Sequence, residues 1–240
     1  MRRIVSRITF ALCVPVLVLS LFPIYLFFVI AGLFGERART LASTAVFFLW
    51  NRLAVFATLS TVSVHGRDRL PRGEPFVIYC NHSSFFDIPI LSGFVVPRAT
   101  YAARKGLLVA PWIRSSGGVI LERRKSRSEL KNVREIVRKV KAGRPFIVFP
   151  EGTRSVTGEV GDLKSGSLKI AKWAGAFAVP VRIEGARKLL PRGAKWPAAA
   201  DVQVHIGQPF APEELSRNPV GVLDEMKDFF EGKRIEERKI

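Results

Sequence analysis

A histidine and an aspartate stand five positions apart in YCNHSSFFD, residues 79–87, directly after an apolar run. An imidazole with an ordinary value near 6.5 takes up a proton at neutral pH, and a carboxylate behind it fixes the tautomer and stabilises the imidazolium. His82 and Asp87 therefore have the makings of a general base that lacks a nucleophile of its own. No Gly-x-Ser-x-Gly elbow follows, and Ser83 adjoins the histidine instead of lying across from it, which argues against a serine hydrolase. Cys80 offers a second chemistry, because positions i and i+2 of a strand share a face and its thiolate could accept an acyl group beside His82. A small buried strand residue is the competing reading of that cysteine.

Such a pair needs a turn. On a continuous helix, five residues leave the two side chains about 140° apart around the axis. Ser83 or Ser84 is the expected helix N-cap, with His82 in a strand-to-helix loop and Asp87 in the first turn. The same letters carry a purely structural reading: Ser84-Phe85-Phe86-Asp87 is a capping box and Asn81 a turn former.

The surrounding chain supplies strands and helices in alternation, which places it in the α/β class. PFVIYC, RATYAA, GVILE, PFIVFP, FAVPVRI and DVQVHIG are short, rich in Val, Ile and aromatics, and bounded by Gly or Pro, as strands are. SRSELKNVREIVRKVKAG carries Leu130, Val133, Val137 and Val140 at helical spacing, a Ser126/Glu129 capping box and Gly143 as its stop. Further helices are expected from about Lys164 to Ala174 and through PVGVLDEMKDFFEGKRIEERK. Residues 187–200, RKLLPRGAKWPAAA, read as a loop rich in Pro, Ala and basic groups.

Three more landmarks sit at strand ends. FPEGTRS (149–155) combines Gly152, which permits an unusual backbone, with Arg154, whose planar fork suits phosphate oxygens. GGVILER (117–123) brings a second arginine, Arg123, and VPV (179–181) puts a proline in an apolar strand, the mark of an edge or a strand end.

In this order, NHSSFFD, GGVILER, FPEGTRS and VPV resemble the four blocks of the glycerolipid acyltransferase family, over roughly residues 65–210. The resemblance implies a single acyltransferase domain over 65–240, with a central mixed β-sheet flanked by helices. It implies His82 and Asp87 as the catalytic dyad, with Arg123, Glu151, Gly152, Thr153 and Arg154 binding a phosphorylated acceptor. Lys105 would assist, although its surroundings vary from the family pattern, and Pro180 would bear on the acyl donor or pocket shape. The second block ends Glu122-Arg123, where Asp-Arg is common. The implied reaction moves a fatty acyl group from acyl-CoA or acyl carrier protein to the sn-2 hydroxyl of lysophosphatidic acid, giving phosphatidic acid. Another lysolipid, such as lysophosphatidylethanolamine or a lyso-ornithine lipid, or glycerol-3-phosphate, is the alternative acceptor. No cofactor beyond the thioester co-substrate is implied.

The first 64 residues are a different material. Ile8 to Gly35 contains no charged side chain, longer than the 7–15 residue core of a signal peptide and long enough for lipid, where about 20 apolar residues suffice. Pro15, Pro23 and Gly32 point to a kinked span or a shallow re-entrant element, the latter preferred. The apolar run 40–64 has Asn51 and Arg52 at its centre, which predicts an interfacial helix with Trp50 and Arg52 at headgroup depth. A membrane-anchoring segment over 1–64 is thus expected, similar to the two-helix motif of bacterial family members, with the catalytic domain on the cytoplasmic face of the cell membrane.

Charge and composition agree with lipid partners. Lys and Arg number 38 against 20 Asp and Glu, a net +18 that seeks anions, while 48% hydrophobic residues are unusual in a basic nucleic-acid binder. No nucleic-acid partner is expected. His65, His82 and His205 are scattered, with no Cys/His spacing suited to zinc, and two cysteines form no disulfide framework.

Overall fold

The computed structural model describes residues 2–104, 106, 110–121 and 127–233. In chain order these form α1 (Arg2–Leu33), α2 (Glu36–Phe56), β1 (Thr61–His65), β2 (Phe76–Cys80), α3 (Asp87–Ile90) running into a π-turn at Leu91–Val95, β3 (Thr100–Arg104), α4 (Ala110–Ser115) and β4 (Val119–Leu121). There follow α5 (Arg127–Lys141), β5 (Phe146–Val148), a 3₁₀ turn at Ser165–Leu168 leading into α6 (Lys169–Ala174), β6 (Phe177–Glu184), α7 (Ala186–Leu189), β7 (Asp201–Ile206), α8 (Pro212–Arg217) and α9 (Pro219–Glu231). The chain gathers into two compact units, Met1–Val62 with Ser84–Leu121 and Gly185–Val202, and Ser63–Ser83 with Glu122–Glu184 and Gln203–Ile240.

The second unit is built around β2. All five of its residues are buried, as expected of a strand covered on both faces. It runs parallel to β5 (Val77 opposite Phe146) and to β6 (Phe76 opposite Phe177), while β6 runs antiparallel to β7 (Val181 opposite Ile206), so the sheet is mixed. Helices flank it. On α5, Ile136 and Val140 face inward while Leu130 points to solvent, so the apolar stripe is narrower than its spacing predicts. Gly143 follows at φ +79, the left-handed geometry that ends a helix cheaply only in glycine. Ser126 of the expected capping box lies outside the described residues. On α9, Val222, Leu223, Met226 and Phe230 are buried at i, i+1, i+4 and i+8.

The expected edge position of VPV is not what is found: β6 has a partner on each side. Pro180 O accepts from Gly207 N–H at 2.9 Å, so the proline nitrogen faces the same way, beyond the last β6–β7 pair. The missing donor falls at the irregular step between that ladder and the Ala178–Phe210 bridge, where the interior strand tolerates it.

In the first unit, α1 is one continuous helix through Pro15 and Pro23. Each proline removes one intrahelical bond without interrupting the rod. By length and composition this helix is apolar enough to cross a membrane, and its most apolar stretch is only 11% buried. Its partner α2 returns beside it, with Phe28 stacked on Phe47 at 5.9 Å. Trp50 Nε1 donates to Leu17 O at 3.4 Å. Arg52 also has protein neighbours instead of an open surface: its guanidinium lies 4.6–5.6 Å from the ring centroids of Phe48, Phe56 and Phe94 and 3.5 Å from Gly93 O. Cation–π contact and a carbonyl stabilise this charge within the helical packing. The tail of the apolar run is not helical either, since residues 61–65 alternate exposed and half-buried as strand β1. β3 and β4 pair in parallel, Ala102 opposite Val119.

Candidate active site

His82 leaves β2 through Asn81, whose side-chain amide mimics a strand peptide. Its Nδ2 donates to Ile183 O at 3.0 Å and its Oδ1 accepts from Ile183 N–H at 2.8 Å. The β2–β6 ladder is thereby prolonged by a side chain, which frees the main chain to turn away at residue 82.

The turn is then caught by the FPEGTRS block. His82 N–H donates to Glu151 Oε1 at 2.8 Å, and His82 O accepts from Ser155 N–H at 2.8 Å. The imidazole stacks on Phe149, centroids 3.9 Å apart at 17°. Glu151 is buried, and its second oxygen accepts from Gly161 N–H at 3.0 Å. One carboxylate thus ties the histidine's backbone to both ends of the loop 151–161. Charge-assisted bonds of this kind are the stronger sort, and breaking one leaves a buried charge poorly solvated.

That loop carries the expected acceptor-binding residues. Gly152 adopts φ +76, a backbone that favours glycine, and a Cβ there would lie 2.6 Å from Lys164 Nζ and displace the tip of that side chain. Thr153 is exposed and Arg154 half-buried. Lys164 is a cation that the motif reading missed, nine positions beyond the last residue of FPEGTRS and returned to the loop by its N–H bond to Pro150 O at 3.0 Å. No signal in the net-neutral GDLKSG stretch points to it. Arg123 and Lys105 lie outside the described residues.

Asp87 opens α3 in the first unit and is fully buried. Its Oδ2 accepts from Ser84 N–H at 2.8 Å, Ser84 Oγ accepts from Phe86 N–H at 3.2 Å, and the same hydroxyl donates to Leu190 O at 2.9 Å. The helix starts at Asp87 itself, later than the expected Ser83 or Ser84 cap, because Ser84 spends its side chain on the turn. The capping role foreseen for Asp87 is present through one carboxylate oxygen. Cys80 is wholly buried, with Sγ 3.7 Å from Asn81 Oδ1, the surroundings of a packed strand residue.

A proton-accepting ring held by its own main chain, next to a loop bearing Arg154 and Lys164, suits transfer to an alcohol on an anionic substrate. The acyltransferase family model matches residues 61–184, just over half of the chain and including β2, His82, Asp87 and the FPEGTRS loop. The chain belongs to the acyltransferase family. A crystal structure of the 1-acyl-sn-glycerophosphate acyltransferase PlsC from Thermotoga maritima is similar to this family member over 99% of this chain and 98% of that one, with TM-score 0.78 and 30% identity. The chloroplastic 1-acyl-sn-glycerol-3-phosphate acyltransferase BAT2 of Brassica napus is 32% identical over 61% of this chain, and the Bacillus subtilis 1-acyl-sn-glycerol-3-phosphate acyltransferase 28% identical over 72%. The alignment takes in 44% of the Brassica protein's length and 85% of the Bacillus protein's. This family member thus spans less than half the length of the plant relative it matches.

Proposed function

We propose that the chain transfers a fatty acyl group from acyl-CoA or acyl carrier protein to the sn-2 hydroxyl of lysophosphatidic acid, forming phosphatidic acid at the cytoplasmic face of the cell membrane. The observation that carries this reading is the grip of Glu151 and Ser155 on the His82 backbone, in a chain that resembles PlsC from end to end.

The acceptor's phosphate binds at Arg154, with Lys164 beside Gly152 and with Arg123 and Lys105 completing the positive site. Binding energy at the phosphate is then used to fix the free hydroxyl against the imidazole, converting a collision into a placed reaction. His82 removes the hydroxyl proton as the oxygen attacks the thioester carbonyl. The C–S bond breaks, the new ester C–O bond remains, and the imidazolium returns the proton to the departing thiolate. Acid–base help of this sort is worth about 10²- to 10⁴-fold. Asp87 acts as the partner that holds the productive tautomer. Glu151 serves as a strut: each of its oxygens accepts a main-chain N–H, which positions the base and the loop.

Both lipid substrates keep their chains in the bilayer if α1 is inserted there, so the acceptor need not be lifted into water. The test is acyl transfer by purified protein in mixed micelles across a panel of lysolipids with both thioester donors. His82→Ala is expected to lower turnover by about 10²- to 10⁴-fold while association with lipid persists. Undiminished transfer by that variant would remove the assignment.

A further inference from the structure

The stretch 187–200, expected as a loop throughout, is the end of α7 followed by a loop; it had no role in the motifs, yet it packs on the base of α1. Ala199 N–H donates to Ser6 Oγ at 3.0 Å, with Ser6 fully buried, and Arg2 pairs with Asp201 at 2.9 Å. Leu190 O takes the hydroxyl of Ser84, and Phe10 on the third turn of α1 meets Phe86, centroids 6.3 Å apart. The loop, the start of α1 and the turn before Asp87 therefore form one corner of the first unit.

The surface of that corner has a particular make-up. Ile4 and Ile8 are 66% and 56% exposed on the turns flanking Ser6, so α1 turns apolar to its surroundings right at the loop. Trp196 is 51% exposed and Phe85 59%. Trp196 stands three positions before Ala199, a reach of about 10 Å at most. Arg3, Arg7, Lys188 and Lys195 are exposed on the same segments. A large amphipathic ring beside cationic side chains, at the level where a helix becomes apolar, is what an interface of acyl chain and headgroup selects. In water the same ring would be a cost without return.

We infer that residues 187–200, with Phe85, are a second lipid-contact element that seats Trp196 among the headgroups of an anionic bilayer and sets the depth at which α1 enters. The consequence reaches the Asp87 turn, because the Leu190 carbonyl that holds Ser84 belongs to this loop, and Ser84 N–H holds Asp87. The inference rests on the reading that α1 is inserted in lipid, and goes beyond it by assigning a docking role to a loop outside the apolar helices.

Full-length protein is mixed with vesicles of phosphatidylcholine, alone or with phosphatidylglycerol, containing lipid brominated near the headgroup, and the quenching lost in Trp196→Phe isolates that indole. Trp196 is expected to be quenched, and Lys188→Gln with Lys195→Gln to weaken binding to the anionic vesicles about fivefold per charge removed, with little change on neutral ones. Vesicle binding with an unquenched Trp196, or with equal losses on both vesicle types, would overturn the lipid-contact role while leaving the insertion of α1 standing. No vesicle binding at all by the wild-type chain would overturn both, and neither result bears on acyl transfer in micelles.

Discussion

The helices α1 and α9 use similar side chains in opposite ways. Leu12 and Leu19 of α1 are each 72% exposed, whereas Val222, Met226 and Phe230 of α9 are buried against its own unit. One helix is solvated by whatever lies outside the protein, the other by the protein itself. Apolar composition alone therefore does not say what stabilises a segment; periodicity does. α9 interrupts its apolar residues with Asp224, Glu225, Lys227 and Asp228, leaving one stripe, while α1 from Ile8 onward has no polar face to show to water.

The comparison can be broken with one substitution in each helix. Met226→Ala removes a fully buried side chain and is expected to cost about 2–5 kcal/mol, which a thermal melt reads directly, with vesicle binding unchanged. Leu19→Arg should do the reverse. A charge in hydrocarbon costs about 2.5–3.5 kcal/mol, so vesicle partitioning should fall roughly a hundredfold while the melt is little affected. If Leu19→Arg unfolds the chain instead, α1 is a core helix and lipid is not its solvent.

A smaller effect separates packing from positioning in the second unit. Glu151→Gln keeps the volume but turns one acceptor into an N–H donor facing a main-chain N–H. A hydrogen bond to a charged group contributes about 1.5–3 kcal/mol, and part of that should appear as a roughly 10- to 100-fold fall in kcat, with the acceptor's KM little changed. Faster hydrogen exchange at the His82 and Gly161 amides would accompany it. A raised KM with unchanged kcat and exchange would instead make Glu151 an acceptor-binding group.

The parts legible in the sequence are those set by local pattern. The strands of the second unit, α5, α6 and α9 follow from alternation, capping residues and glycine stops, while α8 was not foreseen. The turn between His82 and Asp87 follows from helix geometry alone. What escaped was decided by distant partners. Thr61–His65 continues an apolar run and reads as more helix, but its alternation matters only once it is part of a sheet. The contact of Arg52 with Phe94 and the Gly93 carbonyl likewise comes from packing outside α2. Pro180 signals an edge by propensity, and its tolerance inside β6 depends on where β7 stops. Lys164 joins the FPEGTRS loop only because Pro150 and Gly152 leave it a place to return to. The two main-chain bonds of Glu151, to His82 and Gly161, are likewise invisible to a motif.

The smallest effect is electrostatic and distinguishes the two units by pH. In the second unit His205 stacks on His65, centroids 5.0 Å apart, and burial first, then the Arg182 and His65 charges, hold it below its ordinary 6.5, with Glu184 opposing. The native form thus binds fewer protons than the unfolded chain in that range, so the contribution is complete above 6.5 and fades as pH falls through the lowered value. In the first unit the Arg2 hydrogen bond, helped by the Thr61 hydroxyl, holds Asp201 down at about 2 against an ordinary 3.8. Its contribution is complete above 3.8 and is lost only as pH falls toward 2. Acid titration of the melting temperature should therefore show a shallow decline near neutrality that His205→Gln removes, and a separate one in strong acid that Asp201→Asn removes. Both are small, the Asp201 pair because it faces solvent and His205 because it is only half-buried. If His205→Gln leaves the upper decline in place, that decline belongs to another group, and His205 is not the second unit's pH marker.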